Sequence, residues 1–379
     1  MATENGSQRS VFDRIGREVQ DALTGTIRGS SNVAQAAIDA AHDVTVKTMK
    51  TSESLVKESG SLGSLIASSV NGAINTARDT GANVGQTAKG AVIGTVQGVG
   101  EVTTVTAAVL SDTIRAAIKG SAAVGADAGA VTRGAVEGAI ESTRSVGIQL
   151  EDAATAIGTG AIKGTREVGG DLGNAARDTI QGVIDTAETE GVNTIEAVRA
   201  TSSSMVSATA EVGGDIGAVA KATINGVVDT AEVTGLNTIE ALRASASSII
   251  AATANVGGDI ARIARVTIHE TVETAQSTSV NTLEAIRETS RAIVATTASV
   301  GGDTGKVARD TVDEAIAAAR DLGLDAGDAA KAATTGALRG AEEIGETAVH
   351  TVTDTLSAMV NGVRVVIRGR EVEARSEQS

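Results

Sequence analysis

The chain has 379 residues, a formal net charge of −15 and a pI near 4.8, with one aromatic residue, Phe12, and no Trp, Tyr, Pro or Cys. Acidity without aromatics argues against nucleic acid as a partner, because such binding rests on Lys and Arg at phosphates and on aromatic stacking of bases. The lack of cysteine excludes disulfides, thiolate metal sites and cysteine catalysis.

Residues 1–10 form a polar tail without the apolar run of a secretory signal, and are expected to be disordered. Val11 to Leu23 is predicted as an amphipathic helix with Phe12, Ile15, Val19 and Leu23 on one face. Residues 11–123 carry a degenerate repeat whose register survives at Gly81-Ala82-Asn83 and Gly125-Ala126-Asp127. Residues 124–350 repeat regularly every 44 positions. Val168-Gly169-Gly170-Asp171, Val212-Gly213-Gly214-Asp215, Val256-Gly257-Gly258-Asp259 and Val300-Gly301-Gly302-Asp303 mark the period. Halfway between them stand Gly191-Val192-Asn193, Gly235-Leu236-Asn237, Ser279-Val280-Asn281 and Gly323-Leu324-Asp325. Residues 351–379 read as an atypical C-terminal cap and tail, in which Gly362 to Glu373 makes either a short strand or a terminal helix cap. No apolar run reaches the roughly 18 residues of a membrane span. The expected location is the cytoplasm, with the surface of a lipid body or granule as an alternative.

Proline normally makes up about 5% of a chain, so its absence fits helix almost throughout. Within the regular part an apolar stripe recurs every 11 residues, through Ile184, Ile195, Val206, Val228, Ile239, Ile250, Val272, Leu283 and Val294. At about 3.67 residues per turn, such a line runs nearly straight along a helix. A second line three residues on includes Ala187, Val198, Thr209, Leu242 and Ile286. A charged line through Asp185, Glu196, Asp229, Glu240, Glu273 and Glu284 falls on the opposite, polar side. Glu196/Arg199, Glu240/Arg243 and Glu284/Arg287 are spaced as i,i+3 ion pairs.

The fold class is all-α, built from 11-, 22- and 44-residue amphipathic helical repeats. The Gly-x-Asp/Asn triplets suit helix punctuation, with Gly in the left-handed C′ position and Asp or Asn as the next N-cap. Glu196, Glu240 and Glu284, three residues after their asparagines, complete the pattern of a capping box. This favours a stack or bundle of helical hairpins over long, near-continuous helices, although the 11-residue phase passes through every joint.

No catalytic or metal constellation emerges. His42, His269 and His350 are far apart, and none has a second histidine a helical turn away. The Gly-Gly-Asp segments lack the strand and the Lys-Ser/Thr ending of a phosphate loop. Asp185/Glu188 and Asp229/Glu232 read as solvated acidic faces. No cofactor, no metal and no enzymatic activity are expected.

Gly81 to Glu101 (GANVGQTAKGAVIGTVQGVGE) resembles the 11-residue amphipathic repeats of perilipins and synucleins, and the 22-residue repeats of exchangeable apolipoproteins. The resemblance is one of pattern over roughly residues 30–350. It implies helices lying on a lipid droplet, vesicle or lipoprotein surface. The chain differs in its acidic repeats, its glycine punctuation and its lack of aromatics. Its 11-residue period is similar to that of late embryogenesis abundant proteins, which implies a desiccation protectant, and its Ala-rich helices to those of granule-coating phasins. The reading taken from the residues is a non-enzymatic scaffold, self-associating through the Ala/Val/Ile stripe. An amphipathic coat on lipid droplets, membranes or storage granules is the first alternative, and a stress protectant the second.

Overall fold

The computed structural model describes residues 14, 17–22, 24, 32–51, 59–357, 359–368 and 371–376. In the stretch predicted as the first amphipathic helix, Val19 is helical and buried, and Glu18 pairs with Lys47 at 3.0 Å. Phe12, Ile15 and Leu23 lie outside the described residues, as does the tail at 1–10.

The helices are α1 (Val33–Thr51), α2 (Ser59–Thr80), α3 (Val84–Val102), α4 (Ala107–Val124), α5 (Ala128–Val146), α6 (Leu150–Glu167), α7 (Leu172–Glu190) and α8 (Thr194–Glu211). They continue as α9 (Ile216–Thr234), α10 (Thr238–Asn255), α11 (Ile260–Ser277), α12 (Thr282–Ser299), α13 (Thr304–Asp321), α14 (Ala326–Ile344) and α15 (Glu346–Leu356). Strands β1 (Met359–Val360), β2 (Val363–Arg368) and β3 (Glu371–Ser376) follow. The chain divides into two compact units, Met1–Ala197 and Val198–Ser379.

Within the first unit, α1, α3, α5 and α7 pack as one row, and α2, α4 and α6 as another. Within the second, α9, α11, α13 and α15 form one row, and α10, α12 and α14 the other. Row neighbours run parallel: Gly134 and Gly138 face Gly85 and Lys89, and Gly160 and Gly164 face Ser111 and Arg115, each pair 49 positions apart.

The joints are where the sequence placed them. Gly169, Gly213, Gly257 and Gly301 have φ between +65° and +75°, the left-handed cap conformation. The following glycine returns an N–H to the last helical turn, Gly170 to the Thr165 carbonyl at 2.9 Å and Gly258 to Thr253 at 2.8 Å. The next residue opens a new helix. Asp171 accepts from the Asn174 N–H at 2.9 Å, and Asn237 from the Glu240 N–H at 3.2 Å. These caps satisfy groups that a helix end leaves orphaned. The helices therefore stop at every such joint, and the near-continuous alternative does not hold.

The core is thin, as the composition required. Mid-helix glycines on α3, α5, α6 and α14 sit against the backbone of the preceding row neighbour. A Cβ on Gly138 would lie 2.6 Å from the Lys89 carbonyl oxygen, and one on Gly160 2.6 Å from that of Ser111. Threonine fills much of the rest. Thr179, Thr223, Thr253 and Thr311 are fully buried, and each hydroxyl donates to its own i−4 carbonyl at 2.6–2.7 Å. A hydroxyl bonded this way is tolerated in an apolar interior.

In the segment at 362–373, residues 363–368 and 371–373 form strands and not a terminal helix cap. Asn361 and Gly362, with φ of 44° and 71°, make the two-residue hairpin turn that an Asn-Gly pair favours. β1, β2 and β3 pair antiparallel in that order. Val363 and Val365 alternate onto one face and are buried with Val360 and Val372, and the sheet packs on α13, α14 and α15. The Asn-Gly pair was the available sequence signal for this hairpin.

Two glycine substitutions separate the roles. Gly138→Ala should destabilise by about 1–3 kcal/mol through overpacking, whereas the same change in an uncrowded helix gains roughly 1 kcal/mol. Gly257→Ala meets nothing within 4 Å and should cost about 1–2 kcal/mol for its left-handed backbone, without lengthening the particle. Thermal unfolding and sedimentation check both. An unchanged or higher melting temperature for Gly138→Ala would refute the close-approach account.

Candidate interaction surface

The predicted stripe lies largely inside the stack. Ile184, Val206, Val228, Ile250, Val272 and Val294 are all 0% exposed. Ile195 and Ile239 are half-buried, and Leu283 is 41% exposed. The 11-residue line thus resolves into a buried class recurring every 22 residues and a less covered class recurring every 44. The buried members lie deep in their helices, while Ile195, Ile239 and Leu283 are second residues of α8, α10 and α12, beside a joint that covers them incompletely. The line three residues later is more uniform, and Ala187, Val198, Thr209, Leu242 and Ile286 are all buried. No sequence signal separated the two classes, because one 11-residue line carries both.

Between their buried faces, the interior helices keep a narrow lane of half-buried to exposed residues. On α5 the lane is Arg133, Glu137, Glu141 and Arg144, and the turns of helix between these positions are buried. Charges in these lanes pair between row neighbours. Lys89 Nζ lies 2.6 Å from both Glu137 Oε1 and Glu141 Oε1, and Arg265 lies 2.9 Å from Asp310. Burial works against the Lys89 ammonium, yet the two glutamates hold it above the usual lysine value. Asp178 pairs with Arg133, but burial still pushes its carboxyl above the ordinary range. Of the anticipated i,i+3 pairs, Glu284–Arg287 is formed. The charged lanes join one helix to the next more than they brace single helices.

His42 and His269 are taken up in the same way, whereas the exposed His350 lies 3.8 Å from Glu346 of its own helix. His42 lies 3.1 Å from Glu101 and 3.2 Å from Asp43, and His269 lies 2.8 Å from Glu314. Among the described residues no group of three or more His, Asp or Glu side chains is placed to hold a metal ion. Of the acidic pairs, Glu188 accepts from the Thr194 hydroxyl at 2.5 Å, and Glu232 accepts from Ser279.

A groove of about 410 Å³ lies between the α4–α5 and α6–α7 joints. Asp127 and Asp171 in its wall cap helices, and Asp178 is paired with Arg133. Its carboxylates are therefore engaged in holding the fold. Among the described residues no helix is long and apolar enough to cross a membrane.

No protein family and no curated protein matches the chain. Among solved structures, a circular tandem repeat protein with novel repeat topology and enhanced subunit contact surfaces aligns over 93% of this chain and 95% of its own. Its identity is 12% and its TM-score 0.28, a likeness too weak to carry any further property across.

The two stripe classes should respond differently to substitution. Ile250→Ser should destabilise the second unit by about 3 kcal/mol or more, combining a cavity with a buried hydroxyl. Ile239→Ser should cost about 1 kcal/mol. Equal losses in denaturant titrations would show that the burial classes do not govern stability.

Proposed function

We propose that this protein is a non-enzymatic helical-repeat scaffold, a self-supporting stack that offers regularly spaced charged lanes to its surroundings. The observation that carries this reading is the fate of the stripe. Its buried Val and Ile side chains join helix to helix within the chain, and of the stripe residues Ile195, Ile239 and Leu283 stay partly open. The Asp and Asn caps recur with the repeat, and the interhelical ion pairs serve packing.

The proposal includes association between copies, through what remains accessible of the stripe. Ile239 and Leu283 occupy equivalent positions on row neighbours α10 and α12, and Leu283 is among the most exposed large apolar side chains of the repeats. The lipid-coat alternative would need Val228, Ile250 and Val272 at a lipid surface, and hence an opened stack.

Circular dichroism with sedimentation velocity, in buffer and with neutral-lipid emulsion, tests the reading. High helicity, cooperative unfolding and concentration-dependent association are expected without lipid. Leu283→Ser should preserve helicity and weaken association. A chain that is disordered in buffer and helical only with lipid would overturn the scaffold in favour of the coat.

A further inference from the structure

The joint between α11 and α12 departs from its counterparts. Where Gly191, Gly235 and Gly323 adopt φ of 64°, 81° and 73°, this joint has Ser279, and Thr278 ends α11 in an extended conformation. At the sister joints, backbone N–H groups close the helix end, as in Val192 to Ala187 at 3.0 Å and Leu324 to Ala319 at 2.8 Å. At the α11 end hydroxyls do this work. Thr278 Oγ1 and Ser277 Oγ both donate to the Thr274 carbonyl at 2.9 Å.

The chain past that end is held from outside. Glu232, in the last turn of row neighbour α9, accepts from the Ser279 N–H at 3.1 Å and from the Ser279 hydroxyl at 2.6 Å, through the same oxygen. One turn earlier, the Thr274 hydroxyl donates to Asn225 of α9 at 2.5 Å. A serine cannot enter the left-handed conformation as cheaply as glycine. The joint therefore gives up a local closure and takes a long-range one.

We propose that the Ser279–Glu232 contact is a carboxylate latch, which makes this joint conditional on the ionised side chain of a different helix while its glycine-closed counterparts are autonomous. An ionised carboxylate accepts both hydrogen bonds; a protonated one accepts them poorly. The two bonds from Ser279 hold the Glu232 carboxyl below its usual range. A depressed carboxylate stabilises above its unfolded value and loses that contribution as pH falls through its folded value. The latch is therefore closed at neutral pH and opens below the ordinary glutamate range of about 4.3. The other charged groups on these elements are Lys221 and Asp229 on α9, Glu240 and Arg243 on α10, and Arg262, Arg265, His269, Glu270 and Glu273 on α11; Lys221 pairs with Glu270 at 2.9 Å, and Arg265 and His269 pair with Asp310 and Glu314.

Native-state hydrogen exchange on the full chain, read at residues 275–282, tests the latch. Glu232→Gln should speed exchange there roughly fivefold or more, because local opening reports the lost closure. Ser279→Gly restores the autonomous cap, and in that background Glu232→Gln should change nothing. The latch is overturned if Glu232→Gln leaves the joint unchanged in the natural sequence. It is equally overturned if exchange rises as much in the Ser279→Gly background, since the effect would then arise within α9.

Discussion

Everything in this structure depends on how closely helix backbones can approach. Ala, Val, Thr and Gly offer little apolar area each, and burial stabilises in proportion to area. A core of such residues holds only if neighbouring helices lie nearly backbone to backbone, where many small contacts sum. The glycines of α3, α5, α6 and α14 make that approach possible, and a single Cβ on Gly138 would enter the space of the Lys89 carbonyl. Threonine contributes methyl groups to the same interface because its hydroxyl is satisfied within its own helix. Larger side chains would push the rows apart and break the ion pairs between them.

The repeat length follows from the same constraint. Helices α4 to α14 are 18 or 19 residues long, which is about five turns. A whole number of turns brings the buried face back to the same side at each joint. A short joint then suffices, and a 22-residue unit adds to the stack without repacking it. Because the caps are local, each unit carries its own stop and start signals. The α11–α12 joint is informative as the place where this autonomy lapses and a neighbouring helix supplies the missing hydrogen-bond acceptor.

Function is constrained by what the packing consumes. In the sequence only the stripe suggested a binding role, while the acidic pairs read as solvated faces and the histidines formed no constellation. In the folded chain the stripe is mostly interior, and the described charged groups considered above are largely paired across rows or engaged at joints. The accessible remainder is a set of narrow charged lanes and a few apolar residues beside joints, such as Leu283. A scaffold is the reading this surface supports best, and its charge favours partners that are not themselves strongly acidic.

By itself the sequence determined the helical class, the 22- and 44-residue periods and the joints. Those are local properties: a left-handed glycine followed by Asp171 or Asn237 ends one helix and starts another whatever surrounds it. The Asn361-Gly362 hairpin was equally local and legible, but a helical period dominated its surroundings. Only the tertiary structure decided which stripe residues are covered. Ile239 and Ile250 belong to one 11-residue line, yet one starts a helix beside a joint and the other lies deep between two rows. The partners in the lanes were also beyond reach, because Lys89 meets Glu137 and Glu141 only when α3 and α5 lie side by side. Periodicity fixes which face a residue occupies, and packing alone fixes what that face meets.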